Sequence, residues 1–152
     1  MCKNMKKSEI KPALDALKEI KINKFEDKEI RNTLIDDHFA LLDAGKKLDA
    51  KIEDMRKVFI ESYKDEEQAV QDLQAKINEA STREEQIELS KQLRTEHKDY
   101  LDAVKDFNEQ VTKLYSEEVE VKKIDREKLM DELKKQDLKL SWVEALYPLF
   151  NI

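Results

Sequence analysis

Apolar residues return along two stretches of this chain at alternating intervals of four and three. The first stretch reads Leu34, His38, Leu41, Gly45, Leu48, Ile52, Met55, Phe59. The second reads Leu93, His97, Tyr100, Val104, Phe107, Val111, Leu114. That rhythm brings positions a and d of a heptad back to one side of a helix, where a second helix can cover them. Two such helices in one chain predict an all-α fold, a long antiparallel helical hairpin of coiled-coil type whose seams zip together. Ile35 and Leu42 widen the first seam on one side and Val58 on the other, so that helix is expected to touch more than one neighbour.

The remaining pattern places shorter elements at the two ends. Residues 1–7 are polar and read as a flexible tail. Residues 8–25 hold a short helix capped by Ser8, with Ile10, Leu14, Leu17 and Ile20 as its stripe. Pro12 falls in the first turn, where a missing N–H costs little. Asp27 caps the first long helix, residues 27–80. The chain is expected to reverse near Ala80–Arg83, where Ser81/Glu84 and Thr82/Glu85 both read as capping boxes. A reversal near Lys64–Glu67 is the alternative, because the apolar register shifts there. A second long helix then covers residues 83–117, and residues 118–152 form a C-terminal cap. Within that cap, Glu118-Val119-Glu120-Val121 alternates with period two, which reads as a strand. Lys21-Ile22-Asn23 is the partner expected for a minor two-strand pairing. Asp125 is expected to cap one short helix, and Ser141 with Glu144 the last.

Composition narrows the picture. Of 152 residues, 42% are charged and only one is glycine and two are proline, which leaves few sites for tight turns between strands. The result suits long helices that bury a stripe and solvate the rest. The net charge of −6 comes from 29 basic and 35 acidic residues, well mixed, with no concentrated basic face. Nucleic acid is therefore not an expected partner. No apolar run approaches the ~20 residues of a membrane-spanning helix, and no hydrophobic signal region follows Met1. The expectation is a soluble, cytoplasmic protein, with no membrane partner. Cys2 is the only cysteine, so no internal disulfide and no cysteine-based zinc site is expected.

The candidates for chemistry are few. His38 follows Asp36-Asp37 and His97 follows Glu96. Ferritin-like di-iron sites place Glu and His three residues apart on one helix face, but here position 35 is Ile and position 94 is Arg. Both histidines read as polar seam residues that set register, and no metal or other cofactor is expected. Cys2 has no positioned base, and Gly45 is the only glycine, so no glycine-rich phosphate loop exists. No catalytic residue is assigned, and the expectation is a non-enzymatic protein. Gly45 costs helix stability, and the expected reason is close approach of a bulky partner, with Tyr115 or a terminal aromatic residue in view. The C-terminal segment concentrates Trp142, Leu146, Tyr147, Leu149 and Phe150. These five residues either fold back beside Ile10, Leu14 and Leu17 or form an exposed anchor for a protein partner.

The order of segments resembles a group of small coiled-coil proteins, mostly uncharacterised, encoded in phage and prophage genomes. The matching motifs are Ala13-Leu14-Asp15-Ala16-Leu17, Arg56-Lys57-Val58-Phe59-Ile60-Glu61-Ser62-Tyr63, Glu117-Glu118-Val119-Glu120-Val121 and Val143-Glu144-Ala145-Leu146-Tyr147-Pro148-Leu149. They span nearly the whole chain, while its middle is longer and more helical than the group's pattern. The resemblance implies a phage accessory or virion-assembly protein that binds another protein, itself included among the candidates. A small regulatory protein that inhibits a host factor is one alternative, and a structural coiled-coil spacer is another.

Overall fold

The computed structural model describes residues 1–151. Its elements are β1 (Cys2–Lys6), α1 (Ile10–Glu19), α2 (Lys28–Glu79), α3 (Arg83–Glu96), α4 (Lys98–Ser116), β2 (Glu118–Lys122), α5 (Arg126–Lys134) and α6 (Leu140–Leu146), with single 3-10 turns at Lys7–Glu9, Ile22–Lys24 and Tyr147–Leu149. The fold is all-α with one small two-stranded antiparallel sheet. The chain divides into two compact units. One joins Met1–Ala50 to the chain from Lys113 onward, and the other is Lys51–Thr112.

The first unit holds the main core. Leu34 and Leu41 from the α2 seam meet Ala13 and Leu17 of α1, Leu129 and Leu133 of α5, and Trp142 and Leu146 of α6. Asp27 caps α2 as expected, its Oδ1 accepting from the N–H groups of Glu29 (3.0 Å) and Ile30 (3.1 Å). Asp125 caps α5 in the same way through Lys128 N–H at 3.0 Å. Two expected caps are not used. α1 starts after a 3-10 turn that contains Ser8, and α6 starts at Leu140, one residue before Ser141.

The strand pairing and the N-terminal tail need correction. β2 pairs with β1, not with Lys21-Ile22-Asn23, in the register Met5↔Val119 and Lys3↔Val121. Residues 1–7 are therefore not a free tail. The physical reason is burial: Met5 and Val121 both enter the core, so a largely polar strand is held by one apolar residue and the ladder beside it. Ile22–Lys24 is a 3-10 turn instead, and Gln136 clamps it by accepting from Lys21 N–H and donating to Lys21 C=O, both at 2.9 Å. The chain end adds one parallel bridge, Ile124 to Phe150.

The second unit is an antiparallel helical hairpin. Phe59 on α2 meets Tyr100 and Phe107 on α4, and farther along α2 Glu66 reaches His97, so the helices run in opposite directions. The reversal is Ala80–Thr82, and Thr82 caps α3 by accepting from Glu85 N–H at 3.2 Å. The single helix expected over 83–117 is two, α3 and α4, parted at His97 (φ −116°, ψ 26°). The break is a bend and not a turn, because His97 N–H still bonds Leu93 C=O and Leu101 N–H still bonds His97 C=O. Tyr63 of α2 is non-helical at the same level (φ −127°, ψ 21°), with its ring 5.8 Å from that of Tyr100. From Met55 the seam takes two steps of four in succession, to Phe59 and Tyr63, and such a step drives the stripe round the helix. One irregular residue on each side resets it.

Candidate functional site

The five terminal residues singled out by sequence do not form one exposed anchor. Trp142, Leu146, Leu149 and Phe150 are buried in the core of the first unit, and only Tyr147 reaches solvent. α6 packs against α1, and Trp142 Nε1 donates to Glu19 Oε2 at 2.8 Å. That bond, with Lys139 close by, holds the Glu19 carboxyl below the usual carboxylate range. An indole that is both buried and hydrogen-bonded behaves as a core residue.

Gly45 lies against α1, not against Tyr115 or a terminal aromatic residue. A Cβ built there would stand 3.4 Å from Ile10 Cγ2 and 3.8 Å from Leu14 Cδ1, which is ordinary contact.

Among the described residues of the first unit two carboxylates are buried, and both hold backbone. Asp37 Oδ1 accepts from Lys122 N–H at 2.7 Å, which ties α2 to β2, while Oδ2 has no partner. Burial pushes its carboxyl up to about 6, against the lowering effect of Lys122. Glu132 accepts from the N–H groups of Glu26 and Asp27, each at 3.1 Å, and from Lys135 Nζ. Burial alone would raise its carboxyl, but the backbone donors and Lys135 outweigh it and hold the group low. Each serves to fasten a loop or strand to a helix.

His38 and His97 belong to different units. His38 is half-buried beside Phe39, and His97 Nδ1 stands 3.5 Å from Glu66 Oε2. Among the described residues no group of three His, Cys, Asp or Glu side chains is placed to hold a metal ion. Cys2 is exposed on β1. No described helix is long and apolar enough to cross a membrane.

The surface feature that geometry brings out lies in the hairpin unit. A groove of about 490 Å³ runs between α2 and α4, with Met55, Val58, Phe59, Tyr63, Ala103 and Phe107 as its apolar lining and Asp54, Asp106, Lys51, Ser62 and Gln110 at its edges. The rings of Phe59 and Phe107 stand 5.2 Å apart and those of Phe59 and Tyr63 5.1 Å apart, so the floor is a packed aromatic cluster. Val58 stands beside it at 65% exposure. Sequence reasoning placed Met55, Phe59 and Phe107 on the seam and marked Val58 as an outlying apolar position. It did not place them at a site, because a seam pattern shows which residues face the neighbouring helix and not where the two helices leave a groove between them. A second cleft, of about 730 Å³ beside α5, is lined mostly by charged side chains of both signs, among them Arg126, Glu127, Asp131 and Lys134.

No protein-family model, no curated protein and no solved structure matches this chain.

Proposed function

We propose that this protein acts by binding another protein, without catalysis, and that the groove of its hairpin unit supplies the contact surface. The observation that carries the reading is the half-buried apolar lining of that groove, with Val58 open to solvent beside the Phe59–Phe107 cluster. Apolar surface concentrated in a concave strip is a common footprint of a protein contact. The buried carboxylates support the same reading, since each fastens backbone: Glu132 accepts from the N–H groups of Glu26 and Asp27, and Asp37 Oδ1 from that of Lys122. The resemblance to phage and prophage coiled-coil proteins puts a virion-assembly role first among the biological settings.

Affinity capture from native or phage-infected cells, run in parallel with the tagged wild type and Val58→Asp, tests this. The expected result is recovery of a capsid, portal or tail protein by the wild type and its loss from the variant. Recovery of a single host regulator with the same loss would replace assembly by regulation of a host factor. A partner retained by the variant would move the contact off the groove while leaving protein binding in place. Failure to capture any partner would overturn the reading and leave a structural spacer.

A further inference from the structure

The negative charge of this chain is not evenly spread. The hairpin unit carries sixteen Asp and Glu against ten Lys and Arg, whereas the rest of the chain carries nineteen of each. The whole net charge of −6 therefore belongs to the unit that holds the groove. Acidity is concentrated further on one wall. Helical spacing puts Asp99, Asp102 and Asp106 of α4 on the side that carries Ala103 and Gln110, while Lys98 and Lys105 fall on other faces. Asp54 edges the opposite wall, and Lys51 at one end is the only basic residue of the lining.

We infer, resting on the protein-binding reading, that the groove takes a basic amphipathic helix from a partner protein, with aliphatic residues against Phe59 and Phe107 and Lys or Arg facing Asp54 and Asp106. Two features select this occupant. The lining from Lys51 to Tyr63 covers about 18 Å of α2 at 1.5 Å per residue, which matches about three turns of a docked helix with apolar anchors at i, i+4 and i+7. The acidic walls favour a cationic partner and disfavour a second copy of this chain, whose own groove would bring a like-charged surface against them. The aromatic floor supplies the apolar contact, and the carboxylates supply attraction and orientation.

The test uses the full chain and three labelled helical peptides of 20 residues, with binding read by fluorescence anisotropy at two salt concentrations. The first peptide has a leucine stripe flanked by Lys and Arg. The second keeps the stripe but carries Glu flanks. The third keeps the basic composition with the leucines scattered round the helix. The expected result is that the first peptide binds at least tenfold more tightly than either of the others and weakens as salt rises. Val58→Asp and the double substitution Asp54→Lys, Asp106→Lys are each expected to weaken it tenfold or more. All three positions lie on the surface, and circular dichroism checks that each variant keeps its helix content. Equal binding of the first and third peptides would show charge attraction without a groove and would overturn the inference. Equal binding of the first and second would remove the basic requirement. Binding of none, alongside a captured partner that Val58→Asp loses, would overturn the helix assignment while the protein-binding reading stands. A concentration-dependent dimer of the wild type, seen by sedimentation and broken by Val58→Asp, would make a second copy the occupant and overturn the inference.

Discussion

Asp37 couples this fold to pH through its burial, which raises its carboxyl despite the Lys122 N–H it accepts. Its Oδ1 holds Lys122 N–H, its Oδ2 is unsatisfied, and it is only 1% exposed. Its folded pKa of about 6 lies above the ordinary value of 3.8. A carboxyl raised in this way favours the folded state when protonated. The stabilisation is complete below pH ~4 and is lost as pH rises toward about 6. The full shift corresponds to about 3 kcal/mol. Solvent around the exposed Asp36–Lys122 ion pair beside it screens the site and reduces the expected effect to about 2 kcal/mol. Asp37→Asn keeps the acceptor oxygen and removes the titration. Urea unfolding at several pH values should then show wild type gaining about 2 kcal/mol over the variant between pH 7 and pH 4. A constant difference across that range would show that Asp37 does not titrate there. Legibility was poor at this scale. Asp36 and Asp37 are adjacent acidic residues in a charged helix, and nothing in their spacing says which one β2 covers.

Within α2, Gly45 shows how a local rule and a packing rule divide. A glycine inside a helix costs about 1 kcal/mol relative to alanine, and here the neighbours leave room for a methyl group at 3.4 and 3.8 Å. Gly45→Ala is therefore expected to stabilise the protein by about 0.5–1 kcal/mol, read as a higher thermal midpoint. Gly45→Leu should lower it, because its further carbons meet Ile10 and Leu14. A fall in stability for Gly45→Ala would mean that α1 cannot yield at all. The seam containing Gly45 was readable because a helix repeats its face every three or four residues. The Asp27, Thr82 and Asp125 caps were readable because each oxygen satisfies an N–H two or three residues ahead. β1 was not readable, since its residues lack an alternating pattern and its stability comes from β2, more than a hundred residues away.

At the scale of the whole molecule, burial is unequal between the units. Most buried side chains belong to the first unit, including every member of the main core cluster. α3 buries none of its residues. Few buried contacts leave a segment free to open locally at low cost. Native-state hydrogen exchange should show the amides of α3 exchanging fastest among the helices of ten or more residues, with those around Leu34 and Leu41 the slowest. Equal protection along α3 and the first half of α2 would contradict this ordering.

The helical class, the seam face of each long helix and the place of the reversal are local or periodic properties. Spacings of four and three, caps and the near absence of glycine and proline set them before any long-range contact forms. The tertiary structure decided what periodicity cannot carry. It buried Trp142 and Phe150, joined β1 to β2, turned Gly45 toward α1 and left Val58 open beside an aromatic floor. Those outcomes depend on which distant residues compete for the same space, and a one-dimensional pattern records a residue's face but not the neighbour that fills it.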